Sequence, residues 1–94
     1  MKLFDSHCHL DDRAYDDDIG EVVARMNSAG VAKAMIIGTT RARSIKAVSL
    51  AESFPGLYAS VGIHPHDAKS CDEETLDTLK NLSKNPRVHA WGEI

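Results

Sequence analysis

The chain has too little cysteine, too little positive charge and too short an apolar run for several whole classes of protein. Cys8 and Cys71 are its only cysteines. They form no CxxC pair and cannot staple a disulfide scaffold, so a reducing compartment is expected. Lys and Arg total 11 against 14 Asp and Glu, a formal net charge of -3. Proteins that coat nucleic acid by bulk attraction carry the opposite excess, so a phosphate-bearing substrate would have to be caught at a local site. The longest apolar run, Ala34 to Ile37, falls far short of the roughly 18 residues of a membrane span, and charge already interrupts Met1 to Asp5. A cytoplasmic location without membrane contact is the expectation. No linker, low-complexity tract or short repeat is present. With 94 residues, two independent cores would each fall near the lower limit of autonomous folding, so residues 1–94 are read as one domain or a piece of one.

What is present is globular: 43% of residues are apolar and 27% charged, a balance unlike that of disordered chains. Helix and strand periods alternate. Lys2 to Asp5 reads as a strand, followed by a polar loop from Ser6 to Tyr15. Asp16, Asp17 and Asp18 place negative charge at a helix start, and Ile19, Val22, Val23, Met26 and Ala29 continue it at helical spacing up to Gly30. Val31 to Gly38 is a second strand, whose unbroken apolar centre predicts parallel pairing with both faces covered. Thr40 caps a helix through Phe54, stopped by Pro55-Gly56. Leu57 to Gly62 is strand three. Ser70 and Glu73 fit a capping box for a third helix carrying Leu76, Leu79 and Leu82, and Val88 to Ile94 is strand four. This β-α-β-α-β-α-β order predicts an α/β fold of parallel units joined by right-handed crossovers. Every strand then ends at one rim, where α/β proteins build their sites.

His7 and His9 follow strand one. In extended backbone, residues two apart point the same way and lie about 7 Å apart, so both imidazoles can converge on one ion. Asp5 shares their parity and is a candidate carboxylate behind an imidazole. A lone HxH is weak evidence in a chain with five histidines, but His64-Pro65-His66 follows strand three on the same rim and Glu93 ends strand four there. A carboxylate closing an apolar parallel strand needs an ion or hydrogen bonds to compensate it, which makes Glu93 the strongest acidic candidate. Arg41, Arg43 and Lys46, after strand two, could hold a phosphate. His66 and His89 read as structural, Cys8 as a small buried residue facing away from the histidines, and Trp91 and the leucine stripe as core. Asp11, Asp12 and Asp16 to Asp18 read as loop and capping residues.

Taken together, Asp5-Ser6-His7-Cys8-His9-Leu10, Gly62-Ile63-His64-Pro65-His66 and Gly92-Glu93-Ile94 resemble the TatD family of metal-dependent nucleases in the amidohydrolase superfamily. The likeness spans the chain in order and spacing. It implies the first half, strands one to four, of a TIM-type (β/α)₈ barrel with two divalent ions at the C-terminal rim, whether Mg²⁺, Mn²⁺ or Zn²⁺. It further implies hydrolysis of phosphodiesters, chiefly DNA trimmed from its 3′ end. By position, His7 and His9 would bind one ion, Glu93 would bridge both and serve catalysis, and His64 would lie near the substrate phosphate; Arg41 and Arg43 stand as substrate-binding candidates on their charge alone.

Such barrels need roughly 250 residues, and the family draws two further histidines and an aspartate from later strands. Two other readings therefore stand beside the nuclease. One is an ester, amide or lactone hydrolase using the same histidines. The other is a non-catalytic fragment that self-associates to cover the sheet face left bare by helices packed on one side only, at about 1.5–3 kcal/mol for each large side chain left unburied.

Overall fold

The computed structural model describes residues 2–94. Strands β1 (Leu3–Cys8), β2 (Val31–Ile37), β3 (Leu57–Val61) and β4 (Val88–Trp91) alternate with helices α1 (Ile19–Ser28), α2 (Arg41–Ser53) and α3 (Glu73–Ser83). Short 3-10 turns at Arg13–Tyr15 and Pro65–Ser70 shape the loops after β1 and β3. Every pair of neighbouring strands is parallel and the sheet order is β1-β2-β3-β4. The alternating periods of the sequence are thus realised as β/α units with a common rim.

Boundary residues behave largely as their chemistry dictates. Gly30 and Gly56 take positive φ, 95° and 85°, and a Cβ on Gly56 would also stand 2.6 Å from the Ala32 carbonyl oxygen. Thr40 caps α2, its Oγ1 accepting from the Arg43 N–H at 3.1 Å. The third helix departs from expectation. Asp72, not Ser70, is its cap, with Oδ1 accepting from the Thr75 N–H at 2.7 Å. Ser70 belongs to the preceding 3-10 turn and donates instead to the Asp67 carbonyl.

One buried cluster joins Ala34 and Ile36 of β2 and Leu57, Ala59 and Val61 of β3 to Val23, Ala47, Val48, Ala51 and Leu79 of the three helices. Alanines at the α2 contact let the helix backbone approach the sheet closely. The leucine stripe is only partly core: Leu79 is buried, whereas Leu76 is 42% exposed, and Trp91 is 50% exposed. Trp91, Leu76 and Ile94 border a shallow apolar recess beside β4. Phe4 is likewise 53% exposed. Among the described residues no helix is long and apolar enough to cross a membrane.

Candidate metal centre

Strict alternation along β1 would put Asp5, His7 and His9 on one face. The strand does not alternate strictly. Asp5 pairs with Ala34 and Cys8 with Ile36, three steps on β1 against two on β2, which is a bulge. Asp5 and Cys8 therefore both border the recess between β1 and α1, with Val22 and Met26. His7 turns to the other side, beside Met35, Ile37 and Ser60. Asp5 Oδ1 accepts from the backbone N–H of His7 at 3.1 Å, so its carboxylate serves the bulge and not an imidazole ring. The Cys8 thiol donates to the Met35 carbonyl at 3.3 Å. Burial, reinforced by the negative charge of Asp5, pushes that thiol up to about 11, which keeps it protonated at neutral pH and unfit as a nucleophile.

Glu93 reaches the same rim from the far side of the sheet. It stands beyond β4, which ends at Trp91, and not within the strand as the apolar run suggested. The chain there crosses over β3: the Gly92 N–H donates to the Val61 carbonyl and the Glu93 N–H to the Gly38 carbonyl, both at 2.9 Å. Gly62 permits the crossing, because a Cβ at that position would lie 2.7 Å from the Gly92 carbonyl carbon. Buried Ser44 fixes Gly62 in turn, its Oγ accepting from the Gly62 N–H at 3.2 Å and donating to the Gly62 carbonyl at 3.3 Å. The Ser60 hydroxyl holds the Gly92 carbonyl at 2.9 Å.

The result is a convergence of donors. His7, His9 and Glu93 each offer a ligand atom, and the three atoms lie within 4.8 Å of one another. Donors bound to one ion at about 2.0–2.2 Å stand about 3–4 Å apart, so modest side-chain adjustment closes the set, and its mixed nitrogen and oxygen chemistry suits several divalent ions. His7 Nε2 is 3.7 Å from Glu93 Oε2, and the His7 and His9 rings meet edge to face with centroids 5.2 Å apart. His64 approaches the opposite oxygen, its Nε2 lying 3.6 Å from Glu93 Oε1. His64 Nδ1 accepts from the His66 N–H at 3.1 Å. In the neutral ring that acceptance leaves the proton on Nε2, making His64 a hydrogen-bond donor toward the centre.

Beside this centre lies an open groove of about 340 Å³ lined by His9, Asp12, Thr39, Arg43, His64 and His66. Of the expected cation cluster, only Arg43 reaches it. Arg41 pairs with Glu74 of α3 at 3.3 Å, and Lys46 pairs with Asp16. Residues two apart on a helix point about 200° apart, which separates Arg41 from Arg43. His66, read as structural, lines the groove as well as orienting His64. His89 packs against Tyr58, with ring centroids 4.4 Å apart.

Asp12 is a cap as expected, accepting from the Ala14 N–H, which holds its carboxyl below the usual range. Asp11 is not a loop residue of that kind. It is 1% exposed and lies behind His9 and Arg43, 4.0 Å from His9 Nδ1 and 3.6 Å from Arg43 Nε. The spacing His7, His9, Asp11 was the available signal; the run of neighbouring aspartates masked it.

Parallel β/α units carrying imidazole and carboxylate donors on their strand ends define the class: an α/β protein with a candidate metal centre at its C-terminal rim. Residues 4–94 match the family model described as TatD related DNase, and the chain belongs to that family. It is 37% identical over 92 residues to the metal-dependent hydrolase YabD of Bacillus subtilis, covering 98% of this chain and 36% of that protein. It is 38% identical over 92 residues to the 3′-5′ ssDNA/RNA exonuclease TatD of a Pantoea species, covering 97% and 35%. The crystal structure of YjjV, a TatD homologue from Escherichia coli, superposes with a TM-score of 0.88 at 30% identity, covering 98% of this chain and 36% of that one. The four parallel strands and the three helices between them thus match part of a TIM barrel, and the chain spans about a third of the length of these relatives.

Proposed function

We propose that residues 1–94 form one unit of a larger barrel and supply part of the centre of a metal-dependent phosphodiesterase that trims DNA or RNA from the 3′ end. The single observation that carries this reading is the gathering of His7, His9 and Glu93 donors within 4.8 Å at one rim. His7 and His9 would hold a divalent ion through their ring nitrogens. Glu93 places its two carboxylate oxygens on opposite sides, one toward His7 and the other toward His64, which suits it to bridge a pair of ions. A divalent metal held there would supply Lewis acidity for the attack of water on a phosphodiester.

The remaining residues bind and orient. His64, with its Nε2 proton facing inward, donates to a phosphate oxygen. Arg43 contributes charge from the groove wall; its terminal nitrogen, 3.8 Å from Asp12, is only loosely engaged and free to turn to a phosphate. Arg41, tied to Glu74, plays a lesser part. The YabD relative supports a metal-dependent hydrolase and the TatD relatives one acting on nucleic acid, and the groove's cation favours a phosphate substrate over a neutral ester or amide.

The test uses the full product of the gene, assayed on 3′-labelled single-stranded DNA with Mg²⁺, Mn²⁺ or Zn²⁺. The His7→Ala/His9→Ala protein should lose metal content and at least about 100-fold in rate, since even outer partners of a metal site are worth about 10–100-fold. Retention of both by the double variant would refute the assignment. Arg43→Glu should reduce hydrolysis of DNA far more than that of a neutral ester; equal loss on both would favour an ester or amide hydrolase. The 94-residue chain alone should be inactive and self-associating, which activity assays and size-exclusion measure directly.

A further inference from the structure

Among the described residues, three buried side-chain polar atoms have no hydrogen-bond partner in the protein: His9 Nδ1 and both carboxylate oxygens of Asp11. They are neighbours. A carboxylate with a fully buried side chain, flanked by an imidazole nitrogen at 4.0 Å and a guanidinium nitrogen at 3.6 Å, is costly unless both neighbours close on it. Nothing in the loop's own architecture requires an acid here. Asp12 caps the turn at Arg13–Tyr15, and Thr40 caps α2.

We infer that Asp11 is a positioning residue that couples the metal centre to the groove cation. One oxygen takes the Nδ1–H of His9 and thereby leaves His9 Nε2 as the ligand nitrogen; the other takes the Nε–H of Arg43. The guanidinium is then anchored at its inner nitrogen, and its outer nitrogens stay directed to the groove. Filling the His9 ligand position would draw the ring and the buried acid together, because the proton then required on Nδ1 faces the unpaired Asp11 oxygens. Asp5, on the wrong face of the bulge, cannot do this. Asp11 thus gives His9 and Arg43, which stand on different β/α units, a shared anchor. This inference rests on the metal-centre reading above and deepens it.

The test compares parent, Asp11→Asn and Arg43→Lys in the full gene product, reading Mn²⁺ affinity by calorimetry, the visible spectrum of the Co²⁺-loaded protein, and the split between kcat and KM on single-stranded DNA. Asp11→Asn should weaken Mn²⁺ binding by about 10–100-fold, alter the Co²⁺ spectrum and raise KM. Arg43→Lys should raise KM with Mn²⁺ affinity within about threefold of the parent, since only the acid touches His9. An Asp11→Asn protein with parental metal affinity and spectrum and only a lowered Tm overturns the inference while leaving the metal-centre reading intact. A parent that binds neither ion overturns both. Should Asp11→Asn fail to fold, ¹⁵N shifts of His9 in the loaded parent decide: a proton on Nδ1 supports the inference, and one on Nε2 overturns it.

Discussion

At the scale of single residues, side-chain direction separates groups that are close in sequence. The HxH pair was legible because residues two apart in extended backbone point the same way, and the His7 and His9 rings do meet, with centroids 5.2 Å apart. Asp5 was misread because the parity argument assumes a strand without a bulge, and β1 has one between Asp5 and Cys8. The same bulge sends Cys8 toward α1, where burial raises its thiol. Cys71 is exposed. In the native protein, maleimide should therefore modify Cys71 first, with Cys8 following only after unfolding; mass spectrometry of tryptic peptides checks the order, and equal rates at the two sites would contradict it. Asp11 shows the complementary failure. One buried acid among several solvated ones carries no mark of composition; its spacing two residues beyond His9 was a faint signal, and its burial is what singles it out.

At the scale of elements, strand and helix periods located all four strands and three helices, while their ends depended on local hydrogen bonding that periodicity does not encode. The third helix is the clearest instance. Ser70 and Glu73 have capping-box spacing, yet Asp72, adjacent to Glu73, offers a carboxylate to the Thr75 N–H and wins the position. Thr75, through its hydroxyl and backbone N–H, holds the Asp72 carboxyl below the usual carboxylate range. A depressed carboxylate stabilises the fold above its unfolded pKa of about 3.9 and loses that contribution as pH falls through the folded value. Asp72→Asn keeps an acceptor at the cap but cannot titrate. Its Tm should be slightly below the parent's at pH 7, with the gap shrinking toward pH 3; a gap independent of pH would show that the charge plays no part. For α2, Thr40→Ala should cost about 1 kcal/mol by removing the one side-chain cap at that helix start, measured by urea denaturation. The cation cluster after β2 was legible as composition and not as geometry, because a helix turns Arg41 to α3 and Arg43 to the groove.

At the scale of the whole molecule, parallel β/α order is what makes distant residues meet. His7 and Glu93 are separated by nearly the entire chain, and both arrive at one rim because every strand runs the same way. That much follows from alternating periods alone. The crossing of Gly92 over β3 does not; it depends on Gly62 lacking a side chain and on Ser44 beneath it, contacts that no local pattern announces. The core that fixes this frame lies between sheet and helices, with Ile36 and Leu57 fully buried. Leu57→Ala should destabilise the protein by about 2–5 kcal/mol without changing which residues bind metal, read as a lowered denaturation midpoint with parental metal stoichiometry in the folded protein.

Anomalous X-ray diffraction from crystals soaked in Zn²⁺ or Mn²⁺ locates bound ions without reference to any assay. A peak within about 2.0–2.2 Å of imidazole nitrogens of both His7 and His9, with Glu93 oxygen in contact, is the predicted result. Ions bound elsewhere, with His7, His9 and Glu93 left free, would contradict it.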